Sequence, residues 1–443
     1  MRILTPRRSI LSIIAAGVCL AYRLIFAAED SGAGANGQEV LEVLVALVVI
    51  LLAAKLGGDL FERIHQPAVL GELVMGIIIG NIHLLGWNVL EPFKHDITLE
   101  ILAELGVIIL LFEVGLESTV REMMKVGITS FLVAMFGVIA PFFLGWGVGL
   151  WFLPEQSSLV HIFIGATLTA TSVGITARVL KDIGRLQTKE ARIILGAAVI
   201  DDILGLIILA VVAGIISAAG TGHGASLVSV LWIISKAVLF IVGAIVIGGW
   251  GLPRFFKFGL VLKTKGVLLS FSLLVCFLMA FIAGKVGLAP IVGAFAAGLI
   301  LEDFHFKDYE ERGELQLKEL LKPIAIFLVP IFFVRLGMLV DLTTFTQVGI
   351  LGFAAALTLA AIVGKQICAL AIFEKGINRW AIGLGMIPRG EVGLIFAGIG
   401  ANLMLGGNPV IEAGTYSAVV IMVIVTTLVT PPLLKIVMSN KML

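Results

Sequence analysis

The 443-residue chain is 59% hydrophobic and 14% charged, with a mean hydropathy of +1.12 and a formal net charge of +1. Soluble domains carry about 25% charged residues, so the composition excludes a water-soluble globular protein, and the near-zero net charge gives nothing for nucleic acid to bind. The cysteines Cys19, Cys276 and Cys368 each lie inside an apolar run without CxxC or metal-ligand spacing, which predicts core packing rather than disulfide or metal chemistry.

At the N-terminus Arg2, Arg7 and Arg8 precede the apolar stretch Ile10 to Tyr22, and Ala27-Ala28 run into Glu29-Asp30. This predicts a signal peptide over residues 1–28, with an uncleaved anchor as the alternative because Arg23 interrupts the apolar run. Beyond it, thirteen segments approach the roughly 20 apolar residues that a membrane crossing needs. They cover about 39–56, 67–86, 97–117, 127–153, 157–180, 190–217, 227–250, 265–284, 287–302, 322–340, 348–373, 378–402 and 411–436. Lipid offers no partner for backbone polar groups and the segments show no strand alternation, so the expected fold is an all-α polytopic membrane protein of about 13 helices.

Sidedness tests that segmentation. Every loop Lys and Arg of the mature chain falls after an odd-numbered span or in the C-terminal tail, except Lys94 and Lys285. Missing or inventing one span would scramble that bias, so the positive-inside rule predicts a cytoplasmic C-terminus and an outside mature N-terminus. Lys236, Arg335, Lys365 and Arg389 remain inside spans, where ionisable residues are costly and mark function.

Asp201 and Asp202 lie in the middle of span 6, with no other charge for about nine residues on either side. Consecutive helix residues project about 100° apart, so the two carboxylates cannot share one partner face. One is placed to line a water-filled cavity and the other to meet a cation on a neighbouring helix. Desolvation and a like-charged neighbour bring the proton and cation affinities of such a carboxylate close together, which is the requirement for exchange. Lys365 in span 11 is the candidate partner for one of them, with Gly364 permitting close helix approach.

Two segments read as interrupted helices. Thr167 to Gly174 in span 5 contains Thr169, Thr171 and Ser172; Met386 to Gly393 in span 12 contains Pro388, Arg389, Gly390 and Glu391. Each opens a helix and presents backbone carbonyls and half-helix dipoles to an ion. Spans 4–6 and 11–13 are triplets seven spans apart, so they enter the membrane in opposite senses, each with its broken helix in the middle. That predicts two inverted-topology repeats, the plan of a secondary transporter. An intramembrane aspartyl protease needs carboxylates converging from different helices, a passive channel needs no lysine competitor, and an organic-anion/sodium symporter shares the repeat plan.

At these residues the chain resembles the second monovalent cation:proton antiporter family, of the thirteen-span bacterial Na+/H+ antiporter type. The likeness is carried in order by Gly71-Glu72-Leu-Val-Met-Gly76, Phe112-Glu113-Val-Gly115-Leu116-Glu117, Thr169-Ala-Thr-Ser-Val-Gly174, Val199-Ile-Asp-Asp202, Gly293-Ala-Phe-Ala-Ala-Gly298, Phe332-Phe-Val-Arg-Leu-Gly337-Met338 and Pro388-Arg-Gly-Glu-Val-Gly393. The resemblance implies that Asp202 carries ion and proton, that Asp201 pairs with Lys365, and that Thr171 and Ser172 lie near the ion at the broken helix. It implies no cofactor, no enzyme activity and an electrogenic exchange of Na+ or Li+ for H+, with K+/H+ exchange as the alternative. It also implies a homodimer in an inner membrane, with interface spans at 39–117 and 265–340, a mobile core at 127–217 and 348–436, and a linker helix at 227–250. Arg335, late in span 10, is left with Glu113, Glu391 or an outer cavity as partners. Potassium-efflux relatives continue into a cytosolic nucleotide-binding domain, whereas this sequence stops soon after Lys435 and has no GxGxxG after a strand pattern.

Overall fold

The computed structural model describes residues 35–439 apart from 65, 87–89, 95, 118–126, 186, 221–226, 263, 302–308, 310–314 and 375. Within some helices it describes backbone alone, as at Glu391. The expected signal peptide over 1–28 lies outside the described residues, as do the loop cations Arg121, Lys125, Lys263, Lys307, Arg312, Lys375 and Lys441.

The described chain is helical apart from a short hairpin in which β1 (Met404–Leu405) pairs antiparallel with β2 (Asn408–Pro409). In chain order the helices are α1 (Ala35–Arg63), α2 (Ala68–Gly80), α3 (Ile97–Glu117), α4 (Ile128–Phe152), α5 (Ser158–Thr167), α6 (Val173–Asp182), α7 (Lys189–Gly220) and α8 (Leu227–Gly259). They continue with α9 (Val267–Val286), α10 (Pro290–Leu301), α11 (Leu317–Met338), α12 (Val348–Ile367), α13 (Arg379–Gly385), α14 (Gly390–Asn402) and α15 (Ala413–Ser439). Among the described residues, 7 of these are long and apolar enough to cross a membrane: Val40–Arg63, Ile128–Phe152, Lys189–Ala219, Val267–Val286, Leu317–Met338, Val348–Ala371 and Ala413–Met438.

Where an expected span is not one continuous helix, a local cause is visible. The second span stops at Gly80 because the Asn81 side chain takes over: its amide donates to Val340 O at 2.7 Å and its oxygen accepts from Leu342 N at 2.9 Å. A 3-10 turn, Ile82–Leu85, then completes the segment. The eleventh tightens into a 3-10 turn at Cys368–Ala371, a common way to satisfy the last carbonyls of a helix.

The Cα packing divides the chain into two units, Met1–Val107 with Ile324–Thr343, and Ile108–Pro323 with Thr344–Leu443. In the first, α1 packs on α2 and the backbone of α2 at Gly76 lies against α11 at Val334 and Gly337. Arg335 of α11 meets Glu100 of α3, Nη2 to Oε2, at 3.1 Å.

Two apolar clusters organise the second unit. One joins the ends of α3 and α8 to α9 and α10 around Phe112, Phe256, Cys276 and Ala297, where Tyr309 Oη donates to Phe256 O at 2.6 Å. The other gathers Val133, Ala134, Ile194, Ala197, Ala198, Cys368, Ala381, Met386 and Leu434. It therefore packs the residues of α7 that lead up to Asp201. On α8 the exposed Trp232 and Trp250 each carry a cation four residues on: Lys236 Nζ stands 5.9 Å from one ring centroid and the Arg254 guanidinium 4.2 Å from the other. Eighteen helical residues span about 27 Å, a separation close to the roughly 30 Å thickness of a hydrocarbon core. Lys236 also donates to Val286 O at 3.3 Å, at the carbonyl end of α9, where a cation is favoured by the helix dipole.

Candidate functional site

The fifth and twelfth segments are broken, each for a readable reason. In the fifth, Thr167 Oγ1 donates to Phe163 O at 2.9 Å and Thr169 Oγ1 to Ala166 O at 2.7 Å. These hydroxyls occupy carbonyls at the end of α5 and compete with helix continuation, so the chain runs unwound until Val173. In the twelfth, Pro388 lacks an N–H and disfavours helix at the residue before it; α13 ends at Gly385 and α14 begins at Gly390. Gly390 has φ +29, and a Cβ there would sit 2.5 Å from both Cβ and Oγ of Ser172. Only glycine tolerates both demands.

The two unwound stretches meet. Ser172 N donates to Pro388 O at 2.8 Å, Thr171 Oγ1 to Met386 O at 3.4 Å, and Thr176 Oγ1 to Gly385 O at 2.6 Å. Replacing Gly390 with Val is expected to disrupt this crossing. The measurement is exchange rate together with cation affinity in proteoliposomes, and native values for both would show that the crossing tolerates a side chain at this position.

Two cations are buried against these stretches, Lys365 from α12 and Arg389 from the second of them. Lys365 Nζ lies 2.9 Å from Asp201 Oδ1 and donates to Thr169 O at 2.8 Å. Both side chains of that ion pair are 0% exposed. Arg389 is fully buried as well; its Nη1 donates to Ala170 O at 2.6 Å and its Nη2 to Ala361 O at 3.3 Å. Lysine and arginine thus occupy consecutive carbonyls just past the C-terminal end of α5, where the half-helix dipole is negative. What brings Lys365 here is the packing of α12 on α4: a Cβ on Gly364 would stand 2.8 Å from Cα of Pro141, so glycine allows the approach.

The adjacent aspartates divide as neighbouring helix positions must. Asp201 faces Lys365 and is wholly buried, whereas Asp202 is half-buried. Asp201 Oδ2 is buried and has no hydrogen-bond partner among the described residues, which leaves an acceptor available to a water or a cation. Thr171 and Ser172 are buried in the crossing.

The remaining candidates are placed differently. Glu113 is half-buried on α3. The backbone of Glu391 opens α14, and its side chain lies outside the described residues. Arg335 belongs to the first unit and meets Glu100, an acid of the same helix as Glu113 but not among the partners expected from sequence. Thr176 was also missed, although it continues the hydroxyl run that made span 5 stand out.

The described residues contain no group of three or more His, Cys, Asp and Glu side chains able to hold a metal ion. Residues 43–439 match a protein-family model described as sodium/hydrogen exchanger, transmembrane. The chain belongs to that family. This exchanger is 41% identical to the high-affinity Na+/H+ antiporter NhaS3 of Synechocystis, over 90% of each chain. It is 37% identical to the Na+/H+-K+ antiporter GerN of Bacillus cereus, over 89% of this chain and 96% of the relative. Among solved structures, the sodium proton antiporter MjNhaP1 of Methanocaldococcus jannaschii superposes with a TM-score of 0.70 at 15% identity, covering 91% of this chain and 99% of the other. That likeness establishes a shared fold. The exchanger is a multi-pass membrane transporter rather than an enzyme.

Proposed function

We propose that this chain exchanges sodium or lithium for protons by alternating access, with the cation and a proton competing for Asp202. The observation that carries the assignment is the buried Lys365–Asp201 pair beside half-buried Asp202, at the crossing of two broken helices. A carboxylate that binds either a hard cation or a proton, but not both, couples their movements when only its loaded forms reorient. Asp201, Thr171 and Ser172 contribute further oxygens, of the kind hard cations prefer. Lys365 is the second proton carrier: it holds its proton while Asp202 is protonated and releases it when the cation binds. Two protons then cross for each cation and one charge moves per cycle.

The transporter works as a homodimer in an inner membrane, with its C-terminus in the cytoplasm; the distribution of loop Lys and Arg supports that orientation. Residues 39–117 and 265–340 form the dimer-facing part and 127–217 with 348–436 the moving core. Potassium is the second candidate cargo, because the relative GerN is named for both ions.

The test is exchange in proteoliposomes with Na+, Li+ and K+ in turn, with and without an imposed potential. Sodium- and lithium-driven proton movement that responds to potential is the expected result; proton movement driven by none of the three sinks the assignment. Lys365→Ala is expected to change the charge moved per cycle more than cation affinity. Identical electrogenicity in the two proteins would remove Lys365 from the proton count.

A further inference from the structure

The crossing holds one more permanent charge than a lysine–aspartate exchange site requires. Arg389 is fully buried, bonded to the carbonyls of Ala170 and Ala361, and among the described residues no carboxylate lies within ion-pair distance of it. Both carbonyls belong to the segments that carry Thr169 and Lys365, so the guanidinium is tied to the same backbone as the site. A guanidinium keeps its proton where an ammonium gives one up. Arg389 is therefore a fixed charge beside groups whose charges change.

The sum follows from the roles proposed for Asp202 and Lys365, on which this inference rests. With a proton on both Asp202 and Lys365, the site contains Arg389 and Lys365 as cations and Asp201 as the anion, a net charge of plus one. With sodium on Asp202 and Lys365 neutral, the cation and Arg389 balance the two aspartates, and the net charge is zero. Without Arg389 the same two states carry zero and minus one. The charge moved per cycle is the same in both cases, but it crosses on different halves of the cycle.

We propose that Arg389 decides on which half of the transport cycle the membrane potential acts: it makes the sodium-loaded core neutral and leaves the proton-loaded core positive. An inside-negative potential then pulls protons inward and leaves the outward sodium step untouched. One charge crossing the whole field is worth about 2.3 kcal/mol per 100 mV, roughly 50-fold in the inward–outward distribution. A core that traverses part of the field shows a several-fold effect.

Sodium self-exchange isolates the sodium-loaded half. With sodium-22 on one side of a proteoliposome, saturating sodium on both and a valinomycin-set potential, the native rate is expected to stay constant for either polarity. Arg389→Gln is expected to slow several-fold under potential while its reversal potential for net exchange stays native. A purely structural arginine would change the rate at zero potential and leave the voltage response alone. A native rate that changes several-fold with potential overturns the proposal, as does an Arg389→Gln protein that self-exchanges insensitively. Native voltage sensitivity that disappears in Glu391→Gln would overturn it too, since Glu391 would then be cancelling Arg389 in the native core. Should Arg389→Gln fail to fold, the voltage response of native self-exchange decides. Failure of the underlying site assignment looks different: sodium–proton exchange surviving in Asp202→Asn, or no sodium flux in the native protein at all.

Discussion

Asp202→Asn is expected to abolish cation-dependent proton movement in proteoliposomes while leaving the protein folded. The amide keeps the size of the carboxyl but neither takes up a proton in the working pH range nor offers a negative charge to a cation, so both competitors lose their site together. The buried charge pair is untouched, because Asp201 and not Asp202 faces Lys365. A second readout separates lost binding from a jammed core. A ligand that binds only the folded state at about 100 times its dissociation constant stabilises it by about 2.7 kcal/mol, so sodium should raise the melting temperature of the native protein. In the Asp202→Asn variant that rise should vanish. Retained exchange, or a retained sodium shift, would move the carrier role elsewhere.

The largest effect on stability is expected from Asp201→Ala. It leaves the ammonium of Lys365 in a fully buried position with a single carbonyl partner, Thr169 O. Breaking a buried pair by removing one partner costs about 3–5 kcal/mol, whereas replacing both with apolar groups is often close to neutral. The double variant Asp201→Ala with Lys365→Ala should therefore be more stable than Asp201→Ala alone. Unfolding in detergent measures this directly, and additive losses in the cycle would show that the pair does not couple.

Much of the site was legible because charges and helix breakers are conspicuous in a chain that is 59% hydrophobic. Lys365 and the two aspartates stood out by being charged in mid-span, and the hydroxyl run and Pro388 stood out by being poor helix formers there. What could not be read is which backbone carbonyl each cation would take. Thr169 O, Ala170 O and Ala361 O carry no side-chain signature, and they become acceptors only when an unwound stretch exposes them. The same reason hid Thr176, whose partner is the carbonyl of Gly385. Arg335, left open between Glu113, Glu391 and an outer cavity, was hard to place for another reason: Glu100 lies near the start of α3, where an acid looks like ordinary loop-edge polarity, yet it sits 3.1 Å from the guanidinium. Sequence likewise gave no warning that the second segment would end on the Asn81 side chain.

The contact from Ser172 N to Pro388 O is a main-chain bond between residues more than 200 positions apart. It rivets the two half-helix pairs at the point where each is weakest. A motion that slid one broken helix past the other would have to break this bond, at a net cost of about 1 kcal/mol, so the bond favours the two moving together. The Ser172 amide should be among the slowest in its segment to exchange its hydrogen with solvent.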